Sequence, residues 1–186
     1  PISITLCQTP LRADFRQSGE AAEFIAARAG EEEAAGSAAY INRGNLMHKI
    51  FSMIESAGDI SRAVGVLRGQ GFEADGIDFN QIETEIRQKI AACPLVADLT
   101  DGSWLVLNER SILLPAGNEQ GAAMVRPDRV SFKDGRAVVL DYKFGKPLPK
   151  HQEQVKQYAA YLRQMGTPHV KAYLWYFDEN KLVECS

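Results

Sequence analysis

The chain has 186 residues, of which 45% are apolar and 24% charged, and a formal net charge of −3. These values are ordinary for a globular protein and suffice for one domain whose core needs no disulfide or metal staple. Three widely spaced cysteines, Cys7, Cys93 and Cys185, supply neither a disulfide framework nor a zinc or iron–sulfur spacing, which points to a reducing, cytoplasmic setting, and no apolar run approaches the roughly 18 residues of a membrane span.

Residues 1–19 hold a short apolar run, ISITLC, and then a polar stretch with Pro10 and Gly19, which predicts an extended arm. Residues 20–39 are rich in Ala and Glu and interrupted by Gly30 and Gly36, so one or two helices with acidic solvent faces are expected. A start at Pro1 rather than Met fits a processed product or, better, a piece cut from a longer protein. Asn42-Arg43-Gly44-Asn45 then introduces a helix, with Asn42 or Asn45 as its cap. Met47, Ile50, Phe51 and Ile54 recur at i, i+3, i+4 and i+7, a buried stripe. His48 stands one residue off that stripe, about 100° round the helix, at the rim of the buried face; alone, such a histidine is more often structural than catalytic.

Residues 60–71 and 77–92 read as two further helices, with Gly71, Gly76 and Pro94 as breaks, and carry no chemistry beyond packing. From Asp101-Gly102 the pattern turns to strands, at residues 104–107 and 111–114, separated by Asn108-Glu109-Arg110. A Gly/Asn/Gln loop follows at residues 116–121.

The stretch MVRPDRVSFKDGRAVVLDYK, residues 124–143, has the least geometric freedom in the chain. Two β-branched, apolar runs flank Asp134-Gly135, the dipeptide of a two-residue type I′ hairpin. With that turn, Lys133 pairs with Arg136, Phe132 with Ala137 and Val130 with Val139, and Asp128 falls opposite Asp141. Like charges so opposed repel. Strand period two puts Lys143 on the face of Asp141, with Val130, Phe132, Ala137 and Val139 making the rest of that face apolar. Two acids and an ammonium thus meet at one end of a half-buried hairpin, an arrangement that a divalent cation would neutralise.

Gly145 and Pro147-Leu148-Pro149 end the second strand. Residues 150–165 become helical, with Val155, Tyr158, Ala159 and Leu162 on one face and Gln154 one turn before Tyr158. Residues 170–177 alternate into a strand, and Asp178-Glu179-Asn180 turns into residues 181–183. Net charge argues at first against a nucleic-acid partner, but its distribution does not. Residues 126–171 hold ten Lys or Arg against four Asp or Glu, a local +6, while residues 1–100 hold nine against fourteen, so positive charge gathers around the hairpin.

Four of these stretches, in order, resemble the PD-(D/E)xK nuclease superfamily and in dialect its RecB-like branch. RGNLMHKIF resembles the branch's first motif, a helix histidine entered through Arg-Gly. Asp128 stands in the first acidic position, Asp141-Tyr142-Lys143 reads as D-x-K, and HQEQVKQYAAYL resembles the Q-x-x-x-Y helix that follows. Glu109 stands where such chains often carry an acidic residue ahead of the first active-site strand. The resemblance implies an α/β, restriction-endonuclease-like core, a mixed β-sheet with a long active-site hairpin flanked by helices and preceded by a helical N-terminal region. It implies one domain over residues 1–186: a linker and helical lead-in at 1–40, a helical region carrying His48 at 41–100, and the sheet core at 101–186.

The resemblance further implies that His48, Asp128, Asp141 and the backbone carbonyl of Tyr142 hold Mg²⁺ or Mn²⁺, and that Lys143, Gln154 and Tyr158 join the two aspartates in catalysis. The implied activity is a metal-dependent DNA exonuclease similar to the C-terminal nuclease domains of AddA and RecB helicase-nucleases in recombination and double-strand break repair, acting on single-stranded ends. No iron–sulfur cluster is expected. No GxxxxGK[ST] occurs, the lone Gly145-Lys146 lacking its spacing, so a helicase motor would lie elsewhere in a longer chain or in a partner subunit. The alternatives are a stand-alone phage or restriction-type nuclease and a catalytically silent DNA-binding module of the same fold.

Overall fold

In the computed structural model, which describes residues 34–69, 78–113, 124–145 and 147–185, a helical part comes first and a strand-rich part, with one helix between its strands, follows. The elements are α1 (Ala34–Ser52), a single 3₁₀ turn (Ala57–Asp59), α2 (Ile60–Gly69), α3 (Phe79–Ala92), α4 (Pro94–Leu99), β1 (Leu105–Asn108), β2 (Ile112–Leu113), β3 (Met124–Val125), β4 (Arg129–Lys133), β5 (Arg136–Lys143), α5 (Pro149–Gln164), β6 (His169–Tyr176) and β7 (Lys181–Glu184). The chain divides into two units, Pro1–Ser37 and Ala38–Ser186, and the sheet and the site both lie in the second. The arm and acidic helices expected before residue 34 lie outside the described residues, as do Gly71, Gly76 and the loop at 116–121. Among the described residues no helix is long and apolar enough to cross a membrane.

Asp134 and Gly135 both have positive φ, 50° and 71°, the left-handed pair that a type I′ turn requires. From this reversal β4 and β5 run antiparallel, with Lys133 facing Arg136, Phe132 facing Ala137 and Val130 facing Val139, as the alternation predicts. The full sheet has the order β1-β4-β5-β6-β7 and is mixed, because β5 and β6 are parallel and joined through α5. A parallel pair needs such a crossover. β2 and β3 form a separate antiparallel pair.

Strand alternation then builds two cores. On one face Val130, Ala137 and Val139 meet Val155, Tyr158, Ala159 and Leu162 of α5, the helix face expected from the sequence. On the other face Val138, Leu140 and Tyr142 meet α1 to α4, including Met47, Ile50, Phe51 and Ile54. The central strand is therefore buried on both sides, which is why its sequence is a continuous apolar run rather than an alternating one.

Two boundaries differ from expectation. α1 starts at Ala34 and runs through Asn42 and Asn45, so neither asparagine caps it. Arg43, between them, is tied by its Nη2 to Glu85 of α3 at 2.9 and 3.0 Å and by its Nη1 to Asp178 at 2.8 Å, and such tertiary ties override local propensity. α3 ends at Ala92, ahead of the break expected at Pro94, but Pro94 then opens α4, a short helix that the sequence pattern does not announce, at a position where the missing N–H costs nothing. The 3₁₀ turn after α1 rests on Asp59. Its carboxylate accepts from Ser56 N–H at 2.8 Å, Glu55 N–H at 3.2 Å and Arg62 at 2.8 Å, and the Arg62 bond, then the Ser56 amide, lowers its pKa to about 2. Asp59→Ala is expected to cost about 1 kcal/mol, as lost caps do. A depressed acid stabilises the fold above its ordinary pKa, so the gap between the two proteins in thermal melts should shrink as pH falls from 3.8 towards 2. A gap that stayed constant over that window would contradict this role.

Candidate active site

The β4–β5 ladder ends at Arg129 opposite Leu140, and Asp128 and Asp141 are the next residues beyond that last pair. Asp128 continues the connection with its side chain: the Tyr142 N–H donates to its Oδ2 at 2.9 Å. Its own carbonyl accepts the Glu109 N–H at 2.9 Å. Asp141, inside β5, has a side chain only 3% exposed, and Lys143, two residues on and so on the same face, brings Nζ to 2.9 Å from Asp141 Oδ2. From α1, His48 brings Nδ1 to 3.5 Å from Asp128 Oδ2, with its ring edge-on to Phe144 at 4.8 Å.

These groups act on one another electrostatically. Burial, and then the charge of Asp128, pushes the Asp141 carboxyl up to about 7, against the opposing pull of Lys143 and His48. The charge of Asp128 thus adds to the cost of burial, and the ammonium and the imidazole offset part of it. α5 adds its polar pair from the same side: Gln154 Nε2 donates to the Tyr158 hydroxyl at 2.6 Å. Burial, and next the charge of Asp141, pushes the Tyr158 phenol up to about 12.

The family model of the PD-(D/E)XK nuclease superfamily matches residues 5–184. The chain belongs to the PD-(D/E)XK nuclease superfamily. Its five-stranded mixed sheet, flanked by helices, is the restriction-endonuclease-like fold expected of that superfamily. A PD-(D/E)XK nuclease domain acts on DNA, and members of the superfamily typically use divalent metals. No curated protein shows a significant match to the sequence.

Among the described residues no three His, Cys, Asp or Glu side chains already converge into a metal cage. The donor set of this PD-(D/E)XK domain nonetheless fits a divalent cation in charge and type. Asp141 Oδ2 is buried and faces the Lys143 ammonium at 2.9 Å. Carboxylate oxygens suit a hard divalent cation.

Two further residues named from the sequence, Tyr142 through its carbonyl and Glu109, stand beside these groups as follows. Tyr142 turns its ring to the opposite face, stacking on Phe51 at 4.4 Å, so only its backbone belongs to the site. Glu109 has a carboxylate 3.8 Å from Arg126, and its contribution to the site is the amide that holds Asp128. Tyr176 was missed by sequence reading. It is buried and lies in β6 at the register of Lys143; burial first, and Asp141 among other charges, raises its pKa, opposed by Lys143. The parallel pairing that brings it there joins strands separated by a helix, and no local pattern encodes it.

Proposed function

We propose that this PD-(D/E)XK domain is a metal-dependent DNA exonuclease of the RecB-like branch, one domain of a longer helicase-nuclease in recombination and double-strand break repair. The observation that supports this best is the junction of Lys143 Nζ with buried Asp141 at 2.9 Å and of His48 Nδ1 with Asp128 at 3.5 Å at one end of the hairpin. In this reading His48, Asp128, Asp141 and the Tyr142 carbonyl hold Mg²⁺ or Mn²⁺. When bound, the ion makes a water more acidic and neutralises a non-bridging phosphate oxygen.

The chain's own residues do the rest. Lys143 presents an ammonium to the reacting phosphate, where it orients water and stabilises transition-state charge, and Asp141 keeps that ammonium in place. Tyr158 accepts a hydrogen bond from Gln154, which leaves its phenol proton for a phosphate oxygen. The local +6 of residues 126–171 draws in the polyanion through its backbone, so little sequence preference is expected. Single-stranded ends would be fed to the site by a motor in the same longer chain or a partner.

Incubating the protein with end-labelled linear and with circular DNA, single- and double-stranded, with Mn²⁺ or with EDTA, tests this. The reading expects Mn²⁺-dependent loss of linear single strands with circles spared. Degraded circles would favour a stand-alone endonuclease, and no metal-dependent degradation of any substrate would favour a silent DNA-binding module.

A further inference from the structure

Next to Asp128 in sequence, but on the opposite face of β4, Arg129 is a guanidinium with 0% exposure. Nη1 donates to the carbonyl of Ile54 at 2.8 Å, Nη2 to that of Glu55 at 2.9 Å and to that of Leu99, and Nε to Ser131 Oγ at 3.1 Å. It also reaches the Tyr142 hydroxyl. Ile54 and Glu55 follow the end of α1, and Leu99 ends α4. Carbonyls at a helix C-terminus lack intrahelical partners, and a cation there complements the helix dipole. A buried charge is costly unless its bonds are satisfied. These bonds satisfy it with carbonyls and hydroxyls rather than a carboxylate, so an ordinary ion pair does not account for an arginine at this position.

What the arrangement does is fix α1 against the sheet. Phe51, stacked on Tyr142, lies one helical turn beyond His48, and Arg129 grips the segment just after the same helix. The two anchors determine where α1 lies along β4 and β5, and so where His48 stands relative to Asp128. We infer that Arg129 is a positioning residue that sets the His48–Asp128 spacing and, through it, the affinity of the site for a divalent cation. This inference rests on the functional reading above.

Mn²⁺ binding, read from the free-ion electron paramagnetic resonance signal, tests it in Arg129→Lys with and without His48→Ala. Lysine keeps the charge but its single nitrogen does not span the carbonyls that the planar guanidinium spans. The expected result is a loss of about tenfold in Mn²⁺ affinity, the lower end for groups that orient a ligand, which disappears when His48 is already alanine. Ser131→Ala loosens the same guanidinium more gently and should give a smaller loss with the same dependence on His48; it carries the test if Arg129→Lys does not fold. Equal losses in both backgrounds, or unchanged affinity in a folded variant, would overturn the inference. Asp141→Ala separates the two levels: if it leaves Mn²⁺ binding intact the functional reading fails and takes this inference with it, whereas if it abolishes binding and the Arg129 and Ser131 variants do not weaken it, only the role of Arg129 falls.

Discussion

Lys143→Ala is expected to lower Mn²⁺-dependent DNA cleavage by about 10²- to 10³-fold, the loss that follows removal of one preorganised transition-state stabiliser, while metal binding stays as tight or tightens. The Lys143 side chain is 12% exposed and lies 2.9 Å from Asp141, so no solvent cation replaces it at that point without a rearrangement. Its removal deletes a positive charge beside two carboxylates, which leaves more negative potential for a divalent ion and less for a reacting phosphate. Asp141→Ala differs, since in the proposed site it removes a metal donor and the anchor of the ammonium together, and should abolish both binding and cleavage. Cleavage rates and Mn²⁺ affinity measured on the same folded preparations distinguish these outcomes. Full activity in either variant contradicts the assignment of the site.

Asp141→Asn should make the metal-free protein more stable while removing its activity. In the folded chain the carboxyl keeps its proton up to about 7, against an ordinary value of 3.8, because burial and then Asp128 disfavour its charge. The favourable contribution of the neutral form is therefore complete below the unfolded value and lost as pH rises through the folded one. Asparagine never ionises and avoids that loss. In EDTA at pH 8 the variant should melt several degrees above wild type, with the gap closing as pH falls towards 4. Adding Mn²⁺ should raise the melting temperature of the wild type and not of Asp141→Asn, because a ligand stabilises only the form that binds it. A variant that melted below wild type in EDTA at pH 8 would contradict the cost assigned to the buried charge.

How much of this was legible depended on whether the rule involved was local. The Asp134-Gly135 turn and strand period two act over a few residues, and they carried the register from Lys133–Arg136 to Val130–Val139 and placed Asp141 and Lys143 on one face. The stripe of Met47, Ile50 and Phe51 was equally local, although α1 stops at Ser52 and Ile54 is buried just beyond it. The start of α1 was not legible, because Asn42 and Asn45 look like caps until Arg43 is seen bound to Glu85 and Asp178. Periodicity places His48 only at the rim of the buried stripe, and its role as a ligand is implied by family likeness alone; its approach to Asp128 depends on how α1 seats against the sheet, of which periodicity says nothing. The place of Arg129 is not legible for the same reason. A cation among apolar strand residues is a signal, yet its acceptors are backbone carbonyls from distant helix ends, which no side-chain pattern announces.

The most direct test of the central claim is an anomalous-difference map from crystals of the protein soaked in Mn²⁺. The expected result is a peak held between the carboxylates of Asp128 and Asp141 with the His48 imidazole as a further ligand, beside the Lys143 ammonium. No peak there at a Mn²⁺ concentration that supports cleavage, or a peak bound by other residues, would contradict it.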